Sequence, residues 1–445
     1  MYQGLRLSRL WLVAVVLAGL KRRRLTLAGI AAGVLNFSVA AALSVLITAG
    51  VWRVARMLHA GYASLPWHTP YETWPYEVGF VLLTLAAFAL VYALLFRRTS
   101  AANLFAGALV CWLALLLTAT ALLPLGSFLF AWPLLFTLVG FAFVLLRGEG
   151  NFESAKGLAF VALCAVPGVC LFAPLVWMFF MMLGLDTGGF FMLMVVLLAG
   201  LVVPHFRVLT ARRRWALPVA AALAGLAFVV VGLSLAGFDA RHRRTDSVFY
   251  FLDADAGRAR WVSTDASLDS WTSQFIAAGA RKESLAEIFP WAKQSCWEAD
   301  APAADIRAPV AQVLEDRTEG DVRTVRLRLS SPRRAPLLLF YADAAAGLSR
   351  AVLDGKSLID DARGIERKTL RVSFAAPPPE GLELRLETRA DAPLRVAVED
   401  LSYGLPEIPG QNFRVRAEDT MPVPSYRTSD TTVVRKTFSL DPRKH

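Results

Sequence analysis

Long stretches without Asp, Glu, Lys or Arg dominate the first half of the chain. A helix that crosses the hydrocarbon core of a membrane takes about 20 apolar residues, each adding about 1.5 Å of length. The uncharged stretches are residues 25–52, 78–96, 99–146, 157–185, 187–206 and 215–238. The third is long enough for two crossings, with Pro124, Leu125 and Gly126 as the turn between them. The pattern therefore predicts seven full membrane spans.

A shorter apolar stretch, residues 10–20, comes before these spans. It resembles the apolar region of a signal peptide, but its basic cluster, residues 21–24, lies on the wrong side and no small-residue cleavage site follows. We interpret it as an eighth span that is short at its N-terminal end. Residues 1–238 are thus predicted to form an α-helical polytopic membrane bundle of about eight spans.

The excess positive charge of the chain lies entirely in this apolar half. Residues 1–238 contain sixteen Lys/Arg and five Asp/Glu, whereas residues 239–445 contain thirty-one of each. A basic chain can indicate nucleic-acid binding, but here the charges form short clusters between spans. That distribution is typical of loops that stay in the cytoplasm. We therefore expect a lipid bilayer as partner and no nucleic acid.

The loops also predict an orientation. Twelve basic residues fall in one set of alternate loops, and only Arg53 and Arg56 fall in the loops between them. The first set is predicted to be cytoplasmic by the positive-inside rule. With eight spans, both termini and the C-terminal part would then lie outside the cytoplasm, on an inner or plasma membrane. An exported domain is expected to precede so short a first span.

From residue 239 onward the pattern changes to short polar and apolar alternation. Residues 239–309 are predicted to form a hairpin, 247–252 with 258–263, and short helices at 267–278 and 283–288. Residues 310–445 alternate with period two in several runs, for example Leu382, Leu384 and Leu386 around Glu383 and Arg385. This predicts an antiparallel β-sandwich, so the whole outer part is expected to be mainly β and extracytoplasmic.

Cysteine and histidine are scarce and scattered. Four cysteines, Cys111, Cys164, Cys170 and Cys296, support neither a disulfide framework nor a cysteine-based zinc site. The five histidines belong to no zinc-peptidase motif, and no nucleophile elbow or phosphate loop occurs. The histidines are His59, His68, His205, His242 and His445. The residues themselves predict no catalytic, cofactor-binding or metal-binding site in this chain.

Two segments still have metal-ligand residue types. Asp253, Asp255 and Gly257 resemble the start of a calcium loop, but the sixth-position Gly is missing and Thr264 stands where a bidentate Glu is needed. We interpret this segment as a tight hairpin turn.

The other segment is the loop of residues 53–77, where His59, His68, Glu72 and Glu77 offer imidazole and carboxylate groups. Their spacing matches no zinc pattern. We favour an aromatic belt at the membrane interface, with these polar residues solvated between the rings. Its members would be Trp52, Tyr62, Trp67, Tyr71, Trp74 and Tyr76.

The predicted spans contain almost no ionisable groups. An ion-coupled transporter is expected to place such groups along a pathway, and only His205, beside Pro204, qualifies even loosely. Pro167 and Pro174 are expected to kink a long span, and such a kink reflects helix packing as readily as a transport function. Transport is therefore the weaker hypothesis.

Several stretches resemble the membrane-embedded family-28 metallopeptidases, the group of the vacuolar membrane protease and the endoplasmic reticulum metallopeptidase. These are residues 59–71, 246–261, 271–275, 400–406 and 429–438. The resemblance implies an exported di-zinc aminopeptidase domain, then a membrane bundle, then a C-terminal β-rich domain. The family's zinc ligands are a His-x-Asp, a bridging Asp, a Glu-Glu pair and a final His. None has a counterpart here, so zinc is expected only in a peptidase domain that this chain lacks.

Two hypotheses on function follow. In the first, the chain is the non-catalytic accessory part of a membrane zinc aminopeptidase, whose exported peptidase domain lies upstream or on another chain. In the second, it is a stand-alone polytopic membrane protein whose outer β-domain binds a carbohydrate, a lipid or a protein. Whether the chain belongs to an enzyme stays open, although it resembles a hydrolase family.

Overall fold

The structure is a computed structural model that describes residues 2–59, 61–62, 65, 68–96, 98–276, 279–343, 347–359, 369–423 and 429–441. The chain divides into two compact units, Met1–Gly237 and Phe238–His445. The first is helical and the second is mainly β.

The first unit consists of helices joined by short loops. In chain order they are α1 (Tyr2–Lys21), α2 (Leu27–Leu58), α3 (Trp74–Leu95), α4 (Ala101–Leu122), α5 (Phe128–Arg147), α6 (Ala155–Leu183), α7 (Gly188–Leu201), α8 (Val203–Ala211) and α9 (Ala216–Ser234). The polar residues Thr26, Ser100 and Ser154 cap α2, α4 and α6, each accepting a hydrogen bond from a backbone N–H in the first helical turn. Each of these helices thus begins where the sequence changes from polar loop to apolar stretch.

Six of these helices are long and apolar enough to cross a membrane, within the part of the chain that the structure describes. A seventh crossing is possible if α7 and α8, which meet at an angle of 76°, form one broken span. The predicted eighth span corresponds to Leu10–Lys21, a shorter apolar helical segment within α1. The prediction of a helical N-terminal part is confirmed, and the length and composition of its helices indicate an integral membrane protein.

Glycine contacts bring the helices of the bundle close together. A Cβ atom at Gly79 of α3 would lie 3.0 Å from the carbonyl oxygen of Gly225 of α9. Gly33 of α2 and Gly107 of α4 meet in the same way, where a side chain on either would collide with the other's backbone. Such small residues allow backbone contact between membrane helices, where lipid offers no hydrophobic driving force.

The second unit consists mainly of strands. They are β1 (Arg244–Asp246), β2 (Phe249–Asp253), β3 (Arg258–Ser263), β4 (Arg281–Ser284), β5 (Ser295–Ala301), β6 (Val310–Glu319), β7 (Val322–Ser330), β8 (Leu337–Asp343), β9 (Arg350–Leu353), β10 (Lys356–Ile359), β11 (Thr369–Ala375), β12 (Leu382–Arg389), β13 (Leu394–Tyr403), β14 (Thr420–Pro422) and β15 (Thr431–Leu440). A single helical turn, α10 (Ser273–Ile276), follows β3.

The strands form an eight-stranded sheet, a five-stranded sheet and a small pair. The order in the larger sheet is β11-β8-β13-β15-β2-β3-β5-β4, and in the smaller one β10-β9-β12-β7-β6. Most neighbours are antiparallel, but β15 runs parallel to β2, and β1 runs parallel to β14. The sheet is therefore mixed, unlike the purely antiparallel arrangement expected from the sequence. The last long strand, β15, ties the end of the chain to the hairpin that begins the unit.

Period-two alternation matches the buried face of the smaller sheet. Leu382, Leu384 and Leu386 of β12 are buried, whereas their neighbours Glu383 and Arg385 are only partly so. One hydrophobic cluster combines these leucines with residues of β7, β9, β8 and β13, and so contains side chains of both large sheets. The prediction of a mainly β part is confirmed.

The predicted hairpin is confirmed, but the two predicted helices are not confirmed as given. Of residues 267–278, only Ser273–Ile276 is helical among those described, and residues 277–278 lie outside them. β2 and β3 pair antiparallel, with Asp253 opposite Arg258. Residues 283–288, predicted to be helical, belong instead to the end of β4 and a 3-10 turn, Leu285–Glu287. The partner strand explains the difference, because Glu283 and Ser284 complete a ladder with β5. Tertiary pairing overrides a weak local preference here.

Candidate functional site

The loop between α2 and α3, with its histidines and carboxylates, is built around an acid that the sequence analysis did not consider. Asp186 lies in the 3-10 turn Leu185–Thr187, between α6 and α7. Its Oδ1 accepts hydrogen bonds from Trp52 Nε1 and from Arg56 Nη1, each at 2.7 Å. Its Oδ2 lies 2.8 Å from Nδ1 of His68. One carboxylate thus connects the end of α2, the following loop and the α6–α7 turn.

The residues of this loop that have metal-ligand side chains do not converge. His68 binds Asp186, and Glu77 accepts a hydrogen bond from Thr73 Oγ1 at 2.7 Å. His59 caps the C-terminal end of α2 and stacks on Tyr62, with ring centroids 4.5 Å apart. Glu72 is half-buried. Within the described residues, no group of three or more His, Cys, Asp or Glu side chains is arranged to hold a metal ion.

Part of the predicted aromatic belt is an internal cluster instead. Trp52, Tyr62 and Tyr76 are buried, and Trp52 stacks on Tyr62 at 5.7 Å between centroids. The two tyrosine hydroxyls hydrogen-bond each other at 2.7 Å. Burial raises the pKa of the Tyr62 phenol, so this hydroxyl stays protonated. Tyr71 and Trp74 are exposed, as a belt requires, and Trp67 lies outside the described residues.

The calcium-like segment is a hydrogen-bonded turn. Asp253 Oδ1 accepts from the backbone nitrogens of Asp255 and Ala256, at 3.0 and 3.1 Å. Asp255 Oδ2 accepts from the backbone nitrogen of Thr437 at 2.7 Å. Thr264 follows the far end of β3, about 20 Å away at about 3.3 Å per strand residue. Both carboxylates therefore accept hydrogen bonds from backbone N–H groups, as expected in a tight hairpin turn.

Among the described residues, the remaining histidines and the cysteines join no group that could hold a metal ion. His205 is in α8, and Nδ1 of His242 lies 3.5 Å from Asp239 Oδ1 near the start of the second unit. His445 lies outside the described residues. Cys111, Cys164, Cys170 and Cys296 are all free thiols. Burial, with a smaller effect of nearby carboxylates, raises the pKa of the Cys296 thiol to about 11.

An open cleft of about 750 Å³ lies in the β unit between Trp271, Phe275 and the segment 405–416. Trp271 Nε1 and Gln274 Nε2 both donate to the carbonyl oxygen of Arg414, at 3.0 and 3.1 Å. In return, the Arg414 nitrogen donates to Gln274 Oε1 at 2.6 Å. These bonds fix the segment over the helical turn α10. The cleft has the size of a ligand pocket and contains both aromatic and polar side chains.

An arginine with two acidic partners closes one side of this cleft. The Arg416 guanidinium lies 3.7 Å from the ring centroid of Trp271 and forms ion pairs with Asp246 and Asp430. Burial raises the pKa of the Asp430 carboxyl, and the charge of Arg416 offsets part of that effect. The sequence analysis missed this cleft because its two sides are about 140 residues apart in the chain.

Further buried ion pairs hold the centre of the larger sheet. Asp400 is fully buried and accepts from both Nε and Nη2 of Arg333, at distances down to 2.8 Å. Glu399, also fully buried, pairs with Arg435 at 2.6 Å and accepts from the hydroxyl of Tyr341. Paired and hydrogen-bonded in this way, the two carboxylates are structural elements of β13.

Comparison of the chain with protein-family models, with curated proteins and with solved structures finds no match.

Proposed function

We propose that this chain is the membrane-anchored, non-catalytic portion of a zinc aminopeptidase-type membrane protease. The catalytic domain would lie upstream or on another chain and would supply the zinc. In this proposal the bundle anchors the assembly, and the β unit contacts the peptidase domain or guides substrate towards it. The resemblance to the membrane-embedded family-28 metallopeptidases is the basis of the proposal.

The observation that supports it most is where the resembling stretches lie. Residues 246–261 include β2, and 429–438 lie mostly in β15, its parallel neighbour; 400–406 begin in β13, which pairs with β15 on the other side. Trp271 and Phe275, from another such stretch, line the cleft together with Leu405 and Pro406. Stretches far apart in sequence therefore build neighbouring strands and contribute to both sides of a single cleft. Because most of the resembling stretches lie together in the β unit, they support the proposal that this unit has the same domain architecture as the family's C-terminal β-rich domain.

The topology belongs to the same proposal. The loops rich in Lys and Arg would face the cytoplasm, and the β unit would face the other side. This requires that α1 and the bent pair α7–α8 each cross the membrane, giving eight spans. The two large sheets, which share one hydrophobic cluster, would form a β-sandwich of mixed strand direction.

The alternative is a stand-alone membrane protein whose β unit binds a ligand. The cleft beside Trp271 favours this hypothesis, since its aromatic and amide side chains suit a carbohydrate or a peptide. Under this alternative, the cleft needs no peptidase domain.

Co-expression with a candidate peptidase distinguishes the two hypotheses. An open reading frame encoding a zinc aminopeptidase domain next to this gene, or a peptidase domain from the resembling family, would be produced with and without this chain. We expect co-purification and a peptidase activity that the chain alone does not show. A peptidase domain that is fully active alone and never associates would contradict the proposal and leave the stand-alone binding protein.

A matched variant makes this test specific for the cleft. Phe413→Ala removes an aromatic ring that stacks on Phe275 with centroids 4.2 Å apart. Tyr403→Ala, at an exposed position of the same unit, is the control. Association lost in the first variant and kept in the second would place the contact at the cleft.

A further inference from the structure

An apolar groove of about 360 Å³ runs between α1 and α5. Its lining contains no charged side chain and includes Leu10, Trp11, Ala14, Ala18, Ala142 and Leu146. The groove exists because alanines occupy the middle of the lining, while the exposed side chains of Leu10 and Leu146 stand at its two ends. Between Leu10 and Ala18 it extends for about 12 Å at the rise of an α-helix. That length fits within one leaflet, because the whole hydrocarbon core measures about 30 Å.

Basic side chains surround one end of this groove. Arg22 Nη1 lies 3.5 Å from the carbonyl oxygen of Leu146, the residue that closes the groove on α5. Arg147 comes next in the chain, is exposed, and places its guanidinium 4.0 Å from the ring of Phe143. Lys21 is exposed at the end of α1. No Asp or Glu occurs before Glu72 in the sequence, so Lys21 and Arg22 have no acidic neighbour in the chain. Glu149 and Glu153 follow Arg147, and Glu153 pairs with Arg207.

A single class of ligand is complementary to both features of the groove. Its apolar length suits a hydrocarbon chain, and its basic end suits a phosphate held by two guanidinium groups. We propose that the groove binds an anionic phospholipid of the leaflet that faces the basic loops. One acyl chain lies along Ala14 and Ala18, and the headgroup phosphate contacts Arg22 and Arg147. The inference does not depend on the proposed peptidase association.

The test measures lipid binding to the purified full-length chain in detergent. Native mass spectrometry would follow retention of phosphatidylglycerol and of phosphatidylcholine with the same acyl chains. Ala14→Trp fills the groove from an exposed position, and the double variant Arg22→Gln/Arg147→Gln removes the basic end. We expect the double variant to weaken phosphatidylglycerol binding about tenfold or more, since one basic side chain near an anionic headgroup contributes about fivefold. We expect Ala14→Trp to weaken the binding of both lipids, since its ring occupies the space of the acyl chain.

Two control variants match these changes away from the groove. Ala224→Trp places the same ring on the exposed face of α9, and Arg212→Gln/Arg213→Gln removes the same charge from exposed positions after α8. Both controls should keep the phosphatidylglycerol affinity of the unmodified chain. Equal retention of the two lipids, or equal losses in groove and control variants, would overturn the proposal. So would a change of oligomeric state in Ala14→Trp with unchanged lipid binding, which would assign the groove to a second copy of the chain.

Discussion

Arg56 and Asp186, which are 130 residues apart in sequence, form an ion pair with a distance of 2.7 Å between Nη1 and Oδ1. Arg56 is one of the two basic residues that depart from the loop charge distribution. Asp186 is the only acid between Glu153 and Asp239. The exception in the distribution of positive charge is thus matched by an equally isolated negative charge. This pairing explains how the last turn of α2 tolerates an arginine on the side predicted to be poor in basic residues.

The pair predicts unequal effects of its two neutral variants. Asp186→Asn weakens bonds from Trp52, Arg56 and His68, whereas Arg56→Gln affects only the Asp186 pair and a 3.1 Å contact with His68 Nδ1. The first variant should therefore lower thermal stability in detergent more. Both side chains are about one-third exposed, so we expect a coupling energy of roughly 0.5–1 kcal/mol in the double-variant cycle. Arg53→Gln, one turn earlier on α2, is the control and should have little effect. Strictly additive losses in the double variant would contradict a direct pair.

The bend between α7 and α8 predicts a specific result for membrane topology. If the two helices form one broken span, reporters placed after Asp186 and after Arg213 will lie on opposite sides of the membrane. A re-entrant loop would place them on the same side and move the β unit to the cytoplasmic side. We expect opposite sides, because Arg212, Arg213 and Arg214 then lie on the same side of the membrane as the other basic loops. Reporter fusions at Arg147 and at the C-terminus supply the reference for each side, and identical signals from these two would refute the topology.

The buried pair of Arg333 and Asp400 predicts a large loss of stability. Asp400→Ala leaves the guanidinium, which is only 17% exposed, without its carboxylate partner, and we expect a cost of about 3 kcal/mol. The comparison is Asp391→Ala, whose partner Arg389 lies 3.8 Å away with both side chains mostly exposed. There the cost should stay below about 0.5 kcal/mol. Urea unfolding of residues 239–445, expressed alone, measures the loss of stability in each variant. The unmodified domain should unfold in one cooperative transition. Equal effects of the two variants would mean that burial of Asp400 has no energetic consequence.

Local patterns predicted the elements better than their long-range contacts. The alternation around Leu384 indicated a strand with one buried face, and β12 has that face. Tyr250 and Phe251, on opposite sides of β2, are both buried because separate hydrophobic clusters cover the two faces of the larger sheet there. Alternation cannot reveal such a strand, and here the hairpin turn after Asp253 indicated it instead.

Contacts between distant residues had little signature in the sequence. The aromatic residues of the α2–α3 loop suggested an interface belt, since nothing local showed that Trp52 would find a hydrogen-bond acceptor in the α6–α7 turn. A lone acid between two uncharged stretches was the available signal for Asp186. The parallel pairing of β15 with β2 joins the two ends of the β unit. No turn motif or residue spacing in the sequence indicates that strands so far apart in the chain are partners.

Cys296 is a built-in reporter for folding of the β unit, since it is the only cysteine after residue 238. The side chain is 1% exposed, and burial raises its pKa to about 11 from an ordinary value of 9.0. The folded unit should therefore resist alkylation at pH 8, whereas urea-unfolded protein should react at once. Residues 239–445 provide the sample without interference from the membrane cysteines. Rapid labelling under native conditions would contradict the buried position.

The same raised pKa predicts a loss of stability at alkaline pH. Between pH 9 and 11 the unfolded chain releases the thiol proton while the folded unit retains it, so the folded state binds more protons and stability falls as the pH rises. The full effect of a shift of this size is about 2 to 3 kcal/mol. Cys296→Ala lowers stability at every pH by leaving a small cavity, but it removes this pH-dependent part. Urea unfolding of both proteins at pH 8 and pH 11 should therefore show a smaller decrease for the variant, and parallel decreases would show that Cys296 does not titrate in this range.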